Sequence, residues 1–375
     1  MTKKIYFIIL VFIGLLESCS SDKTPQEIFE DSKSGVALIC NQFYYSLNLP
    51  NDNIAYFSGI DSEGNLNNFT FDPNEIKKHA SVMTGTGFFI NNEGYLLTNR
   101  HVVQPEVEQE FINKSFNAIV KSLQNLYIQQ LSEIKAQYQE LERQKEECYT
   151  YLDGFDEYEI DEERLQEIEN KENNLKQAMV ELDDFNQFIT YNFRADKLNI
   201  KAYTSICLAY NGATRISENE NKCKVTKISN DPNVDLAVIR LNSGETPENA
   251  FIFGQKGEEK RTFVGDIKSL FNKKEKSDKS LHIDQELYMI GYNAGPTLAF
   301  TNQGLQAQLT SGKITQEPDG SRILYSIPTM KGSSGSPVID AEGNLVAVNF
   351  AKMIDSDNFN FGIPLNKISN FLNSK

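Results

Sequence analysis

Short apolar runs broken by glycine and by Asn/Asp turns fill the two ends of this chain. Val36-Ala37-Leu38-Ile39 and Phe43-Tyr44-Tyr45 read as strand. Gly85-Thr86-Gly87-Phe88-Phe89-Ile90 opens a second strand, Asn91-Asn92-Glu93-Gly94 turns it, and Tyr95-Leu96-Leu97-Thr98 returns as a hairpin. That spacing places His101 at the end of a strand. Further strand-like runs follow at Ser205–Tyr210, Lys222–Ile228 and Leu236–Leu241. Others follow at Glu286–Ile290, Leu305–Thr310, Ile323–Ile327, Pro337–Asp340, Leu345–Phe350 and Asn360–Ile363, and a terminal helix spans Leu365–Leu372. Many short strands with glycine turns predict antiparallel barrels. Between about 104 and 200 the period changes. Val120, Tyr127, Ile134 and Leu141 recur every seven residues, and so do Ile168, Leu175, Leu182 and Ile189 after a break at Asp153-Gly154. Two such stretches joined by a glycine-containing turn predict an antiparallel helical hairpin.

Charge sharpens this division. The formal net charge of the 375 residues is −15, and residues 104–200 hold 22 acidic and 10 basic side chains, most of that excess. The acidity belongs to the helical insert and argues against a nucleic-acid partner. An arm of this kind is either a solvated hairpin or a docking element for a protein partner or another copy. The stretch from Asn242 to Lys279 is polar, lysine-rich at its end, and predicted to be an expanded surface loop.

The N-terminus reads as a targeting segment. Lys3-Lys4 precede the apolar run Ile5–Leu16, too short for a stable span. Leu16-Glu17-Ser18-Cys19 resembles a bacterial lipobox, which implies cleavage before Cys19, lipid on its sulfur and attachment to a membrane. Ser20-Ser21-Asp22-Lys23 resembles the acidic, serine-containing export tag of surface lipoproteins. The expected location is the bacterial cell envelope, lipid-anchored, in the periplasm or exposed on the outer membrane. The expected organisation is a signal peptide at 1–18, a tether at 19–33, a first barrel at 34–249 interrupted by the insert at 104–200, and a second barrel with the terminal helix at 250–375. Cys207 and Cys223 flank a hairpin-like stretch and are candidates for a disulfide in an exported protein; Cys148 is expected to be a free thiol. No cysteine pair has metal-ligand spacing, and no metal or cofactor is expected.

The chemistry-bearing residues come in a telling order. With only 3 histidines in the chain, His101 stands in Leu97-Thr98-Asn99-Arg100-His101-Val102-Val103. Asp235 stands in Asp231-Pro232-Asn233-Val234-Asp235-Leu236, and Ser334 in Gly332-Ser333-Ser334-Gly335-Ser336-Pro337. His, Asp, Ser is one of the chain orders in which a nucleophilic triad is built. A serine hydroxyl needs an imidazole to take its proton, and the imidazole needs a carboxylate to fix its tautomer. In this reading Ser334 attacks, His101 is general base and then general acid, and Asp235 orients it. The backbone N–H groups of Gly332 and Ser334 converge on the developing oxyanion.

These phrases resemble the high-temperature-requirement (HtrA-like) branch of the chymotrypsin-fold serine peptidases. Beyond the three site phrases, Gly291-Tyr292-Asn293-Ala294-Gly295, Leu309-Thr310-Ser311-Gly312 and Asn360-Phe361-Gly362-Ile363-Pro364 are similar to that branch's second-barrel and closing phrases. The resemblance covers roughly residues 34–103 and 203–375. It implies an all-β core of two antiparallel six-stranded barrels, here with a long α-helical hairpin insertion. No PDZ-like segment is expected after Pro364. It also implies an endopeptidase that acts on a protein or peptide through an acyl-enzyme and needs no cofactor. Where the family uses Asn and Gly, this chain has Ser333 and Ser336. In the fold, an acidic residue six positions before the nucleophile selects Lys or Arg. Pro328 stands there, with Lys331 nearby, which argues for a small or apolar residue at that subsite. The alternative is a pseudo-protease, a binding lipoprotein that works through its helical arm.

Overall fold

The computed structural model describes residues 23–49, 53–105, 115–152, 157–194, 198–254, 281–352 and 360–374. The expected signal peptide, Cys19, the Asp153-Gly154 break and the lysine-rich stretch before Lys279 lie outside them. No helix among the described residues is long and apolar enough to cross a membrane.

The protein is mostly β, with a closed six-strand barrel, a curled half-barrel sheet and a long helical insertion. The strands that position the site are β1 (Val36–Asn48), β2 (Ile54–Phe57), β3 (Ser81–Phe89), β4 (Tyr95–Thr98), β5 (Asn199–Tyr210), β6 (Lys222–Ile228) and β7 (Ala237–Leu241). The second sheet comprises β8 (Glu286–Gly291), β9 (Gln308–Lys313), β10 (Ile323–Tyr325), β11 (Pro337–Ile339), β12 (Leu345–Lys352) and β13 (Asn360–Pro364). The longer helices are α1 (Pro25–Ser32), α2 (Phe116–Glu146), α3 (Glu162–Asn192) and α4 (Leu365–Asn373). The first sheet runs β2-β1-β3-β4-β7-β6-β5, and β5 pairs back onto β1 to close the barrel. The second runs β9-β8-β11-β12-β13-β10, and a bridge between Ile314 and Tyr325 brings its two ends together.

Period-2 alternation explains the packing. Ala37, Ile39, Phe89, Leu96, Ile206, Leu208, Ala237 and Ile239 are buried together in a cluster drawn from the first barrel. Their neighbours in sequence, including Leu38, Cys40, Phe88, Leu97, Cys207 and Val238, point the opposite way. They pack with Tyr288, Ile290, Ile339 and Val348 of the second sheet and with Tyr292 just past β8. Leu287, Met289, Ile323, Tyr325, Val338 and Ala347 fill the other face of that sheet. The two sheets therefore share an apolar layer.

The same alternation corrects the cysteine pairing. Cys223 stands opposite Ile206, and Lys222 opposite Cys207, so the two cysteines are one register apart and face opposite sides of the sheet. Cys223 packs with the first-barrel cluster and Cys207 lies in the shared layer. Cys40, Cys148, Cys207 and Cys223 are all free thiols, and the sulfur neighbour of Cys207 is Cys40.

The chain divides into two compact units. Among the described residues, one holds those up to Gln42, Val82–Pro105 and those from Thr204 onward; the other joins those of Phe43–Ser81 with those of Glu106–Tyr203. Residues 43–81, expected within the first barrel, thus group with the insert. Inside the second unit α2 and α3 pack as expected. Ile119, Leu123, Ile168 and Ile189 are buried, and Tyr127 Oη donates to Asp183 Oδ1 at 2.7 Å. The helices are not joined by a simple turn. Tyr149–Leu152 pairs with Glu157–Ile160 as a short antiparallel ladder at the tip, where aromatic and β-branched residues favour strand.

Phe89 is fully buried among first-barrel residues. Phe89→Ala is expected to lower stability by about 3–5 kcal/mol in urea unfolding, through lost burial and the cavity left behind.

Candidate active site

The antiparallel register of β4 and β7 fixes the first half of the site. Thr98 stands opposite Ala237 and Leu97 opposite Val238. The residues just after Thr98 and just before Ala237 are therefore brought to the same end of the pair. Asn99 Nδ2 donates to the Asp235 carbonyl at 2.8 Å. His101 lies on a single helical turn, Arg100–Val103, and not on the strand itself. Val102 and Val103 bury into the first-barrel cluster, and Asn41 Nδ2 donates to the Val102 carbonyl at 3.0 Å, which anchors the turn. The Asp235 carboxylate grips His101 twice. Oδ1 accepts the His101 backbone N–H at 3.0 Å, and Oδ2 lies 2.6 Å from the ring Nδ1. A carboxylate that accepts from Nδ1–H leaves Nε2 as the basic nitrogen. The Asp235 side chain is 18% exposed and that of His101 43%, so the carboxylate sits behind the ring and the ring faces outward.

The loop at Ser334 is fixed peptide by peptide. In a trans peptide the C=O and the following N–H point in opposite directions, so holding one aims the other. The Gly332 carbonyl accepts from Thr86 Oγ1 at 2.9 Å, and the Ser333 N–H on the far side donates to Met330 O at 3.0 Å. The Ser333 carbonyl accepts from Asn349 Nδ2 and from the Ser336 N–H, each at 3.1 Å. That aims the Ser334 N–H away from both. The Ser334 carbonyl accepts the Thr86 N–H at 2.8 Å, and the Gly335 N–H donates to Asn349 O at 2.8 Å. Among the described residues, the N–H groups of Gly332 and Ser334 find no acceptor, while those of Ser333, Gly335 and Ser336 each do. Gly332 and Gly335 have φ of 100° and 85°. A Cβ on Gly332 would collide with the Tyr292 carbonyl, and one on Gly335 with Thr86 O and Thr98 Oγ1.

Buried polar groups support the loop from below. Ser333 Oγ donates to Met330 O at 2.7 Å, and Tyr325 Oη donates to Asn349 Oδ1 at 2.9 Å. Complete burial pushes the Tyr325 phenol well above its ordinary range, so it remains a proton donor. Asn360 Nδ2 donates to Ile327 O at 2.7 Å and its Oδ1 accepts from Thr329 Oγ1 at 2.6 Å, which fixes the approach to the loop.

The structure thus joins His101 to Asp235 and brings the Ser334 loop beside them: an added Cβ on Gly335 would lie 3.1 Å from the Asn99 N. Among the described residues the Ser334 hydroxyl has no hydrogen-bond partner. Pro328 and Lys331 are exposed near the loop. Thr86, Tyr325 and Asn349 were not among the residues singled out from sequence. Their signals were there: Thr86 is a hydroxyl between two glycines in a buried strand, and Asn349 interrupts the apolar run Leu345-Val346-Ala347-Val348.

Residues 202–348 match the family model of the trypsin-like peptidase domain. The matched span contains Asp235 and Ser334, and it supports a chymotrypsin-fold serine peptidase. No curated protein matches the chain.

Gly335→Ala forces an L-residue to φ near 85° and pushes a methyl into backbone that cannot yield. The strain alone is worth roughly 1–3 kcal/mol. The variant is expected to unfold at lower urea concentration, with the loss visible in its equilibrium unfolding curve.

Proposed function

We propose that this protein is an exported, lipid-anchored serine endopeptidase of the HtrA-like kind. The observation that carries the reading is the loop geometry: among the described residues the N–H groups of Gly332 and Ser334 have no acceptor, beside a histidine already bonded to a carboxylate. His101 Nε2 takes the proton from Ser334 Oγ as that oxygen attacks the scissile carbonyl. Asp235 holds the imidazole through Nδ1 and stabilises the imidazolium that forms. The carbonyl oxygen becomes an oxyanion facing the N–H groups of Gly332 and Ser334, where each donor is worth on the order of 10²–10³ in rate. Collapse of the tetrahedral intermediate passes the proton from His101 to the leaving amine, and water then repeats the sequence to release the acyl group from Ser334. The serine–histidine contact tightens when substrate fills the cleft, as catalytic hydrogen bonds are often loose without it. An exposed Pro328 in place of an acid, with Lys331 nearby, suits a small or apolar residue on the acyl side of the cut bond.

One observation favours a second reading. The Ser334 hydroxyl is unbonded among the described residues, which also fits a binding protein that has kept the fold without turnover. Fluorophosphonate labelling and hydrolysis of denatured casein separate the two. The peptidase reading expects wild-type labelling and hydrolysis, loss of both in Ser334→Ala, and a fall on the order of 10⁴ in kcat in Asp235→Asn. A wild type that neither labels nor cleaves supports the binding protein.

Membrane attachment rests on the lipobox resemblance at Cys19. Metabolic labelling with a fatty acid is expected to mark the wild type and not Cys19→Ala, and Cys19→Ala is expected in the soluble fraction. Equal labelling of both removes the anchor from the proposal.

A further inference from the structure

We infer that Thr86 is the positioning residue that holds the nucleophile loop in its working shape, through a hydroxyl that fixes the Gly332–Ser333 peptide. The inference rests on the peptidase reading and adds a residue to it. Thr86 is fully buried on β3 and belongs to the first barrel, whereas the loop belongs to the second sheet. Each of its polar groups is engaged. The N–H donates to the Ser334 carbonyl at 2.8 Å, and the hydroxyl donates to the Gly332 carbonyl at 2.9 Å and accepts the Tyr292 N–H at 3.1 Å. The Thr86 carbonyl accepts from Thr98 Oγ1 at 2.7 Å, on the strand that leads into the His101 turn. One residue therefore grips the Gly332 and Ser334 carbonyls and ties them to the strand that leads into the His101 turn.

The surroundings are shaped for this grip. A Cβ on Gly85 would press on both methyls of Val102 at 2.6 Å and approach the Ser334 carbonyl at 3.2 Å. A Cβ on Gly87 would reach Ile39 Cδ1 at 2.9 Å, and one on Gly291 would reach the Thr86 hydroxyl at 2.9 Å. Glycine at these positions lets β3 pass between the histidine turn and the nucleophile loop, and leaves room for the hydroxyl.

The chemical consequence follows from the backbone torsions of Gly332. With its carbonyl tied to Thr86 and the Ser333 N–H tied to Met330 O, the Gly332–Ser333 peptide plane is held, and this sets one of the two torsions at Gly332 that orient the preceding peptide, the one that carries the Gly332 N–H, toward the position of the oxyanion. Without the hydroxyl, one bond that sets the Gly332 conformation is gone, while the Thr86 N–H still holds Ser334. The defect therefore falls on transition-state stabilisation and not on substrate binding. Misplacement of catalytic groups by about 1 Å costs up to roughly 10²-fold.

The test compares wild type, Thr86→Val and Thr86→Ser on a peptide substrate, with amide hydrogen exchange of the 330–336 segment as an activity-independent readout. Thr86→Val is expected to lower kcat roughly 10- to 100-fold with KM within about twofold, and to weaken a peptide boronate in proportion to kcat. Exchange in 330–336 is expected to quicken. Thr86→Ser keeps the hydroxyl and is expected to recover kcat to within a few-fold and restore slow exchange. Wild-type kcat in Thr86→Val, a rise in KM in place of a fall in kcat, or failure of Thr86→Ser to rescue overturns the inference. If the wild type itself has no activity, the peptidase reading falls. Exchange then decides on Thr86 alone: faster exchange confined to Thr86→Val keeps it as the loop's clamp, and equal exchange in all three proteins removes it.

Discussion

Everything at the candidate site depends on how the first barrel holds the backbone of a loop that belongs to the second sheet. Thr86 meets the Gly332 and Ser334 carbonyls with its hydroxyl and its N–H, and meets Thr98 with its own carbonyl. Fully buried polar groups cost free energy unless they are paired, so these bonds are specific as well as stabilising. A small shift of one sheet on the other would break several at once. The shared apolar layer, from Phe88 and Leu97 on one side to Tyr288 and Tyr292 on the other, resists such a shift because its side chains are packed without slack.

Backbone stereochemistry then turns position into direction. Between residues 332 and 336 each peptide has one end tied, to Thr86, to Asn349 or to a neighbour within the loop. Among the described residues the Ser334 N–H is what this arrangement leaves over, and the Gly332 N–H, on the peptide just before it, likewise has no acceptor. The positive φ values at Gly332 and Gly335 allow the tight loop, and the absence of a Cβ lets the backbone of Tyr292 and Thr86 come close. Asn349 contributes from beneath by accepting from Tyr325 and donating to Ser333, a buried chain of bonds in which each member fixes the next.

Much of this was legible in the sequence, and the parts that were not share a cause. Local signals placed the strands, because alternation and turn residues act over a few positions. The seven-residue spacing of Ile168, Leu175, Leu182 and Ile189 marked α3, and the order of His101, Asp235 and Ser334 pointed at one site. His101 was expected at the end of a strand and lies just past it, on a helical turn whose Val102 and Val103 bury into the barrel. The cysteine pairing failed by a single register step, since a shift of one residue reverses the face a side chain occupies. Thr86 escaped because its partner Gly332 is 246 positions away, and no local period encodes such a contact.

The placement of the insert bears on how the barrel forms. Barrel closure requires β1 to pair with β5, and nearly all of the second unit, from Phe43 to Tyr203, lies between them in sequence. Closing so long a loop from an unfolded chain carries an entropy cost that rises with its length, and such non-local pairing is slow. The second unit offsets that cost from within. Tyr44 stacks on Tyr203 with ring centroids 5.1 Å apart, so this unit, once folded, holds the first and last of its four chain ends side by side. Those are the positions from which β1 and β5 run on into the barrel. A folded second unit thus keeps these two points of the chain adjacent, which shortens the loop whose closure entropy must be overcome.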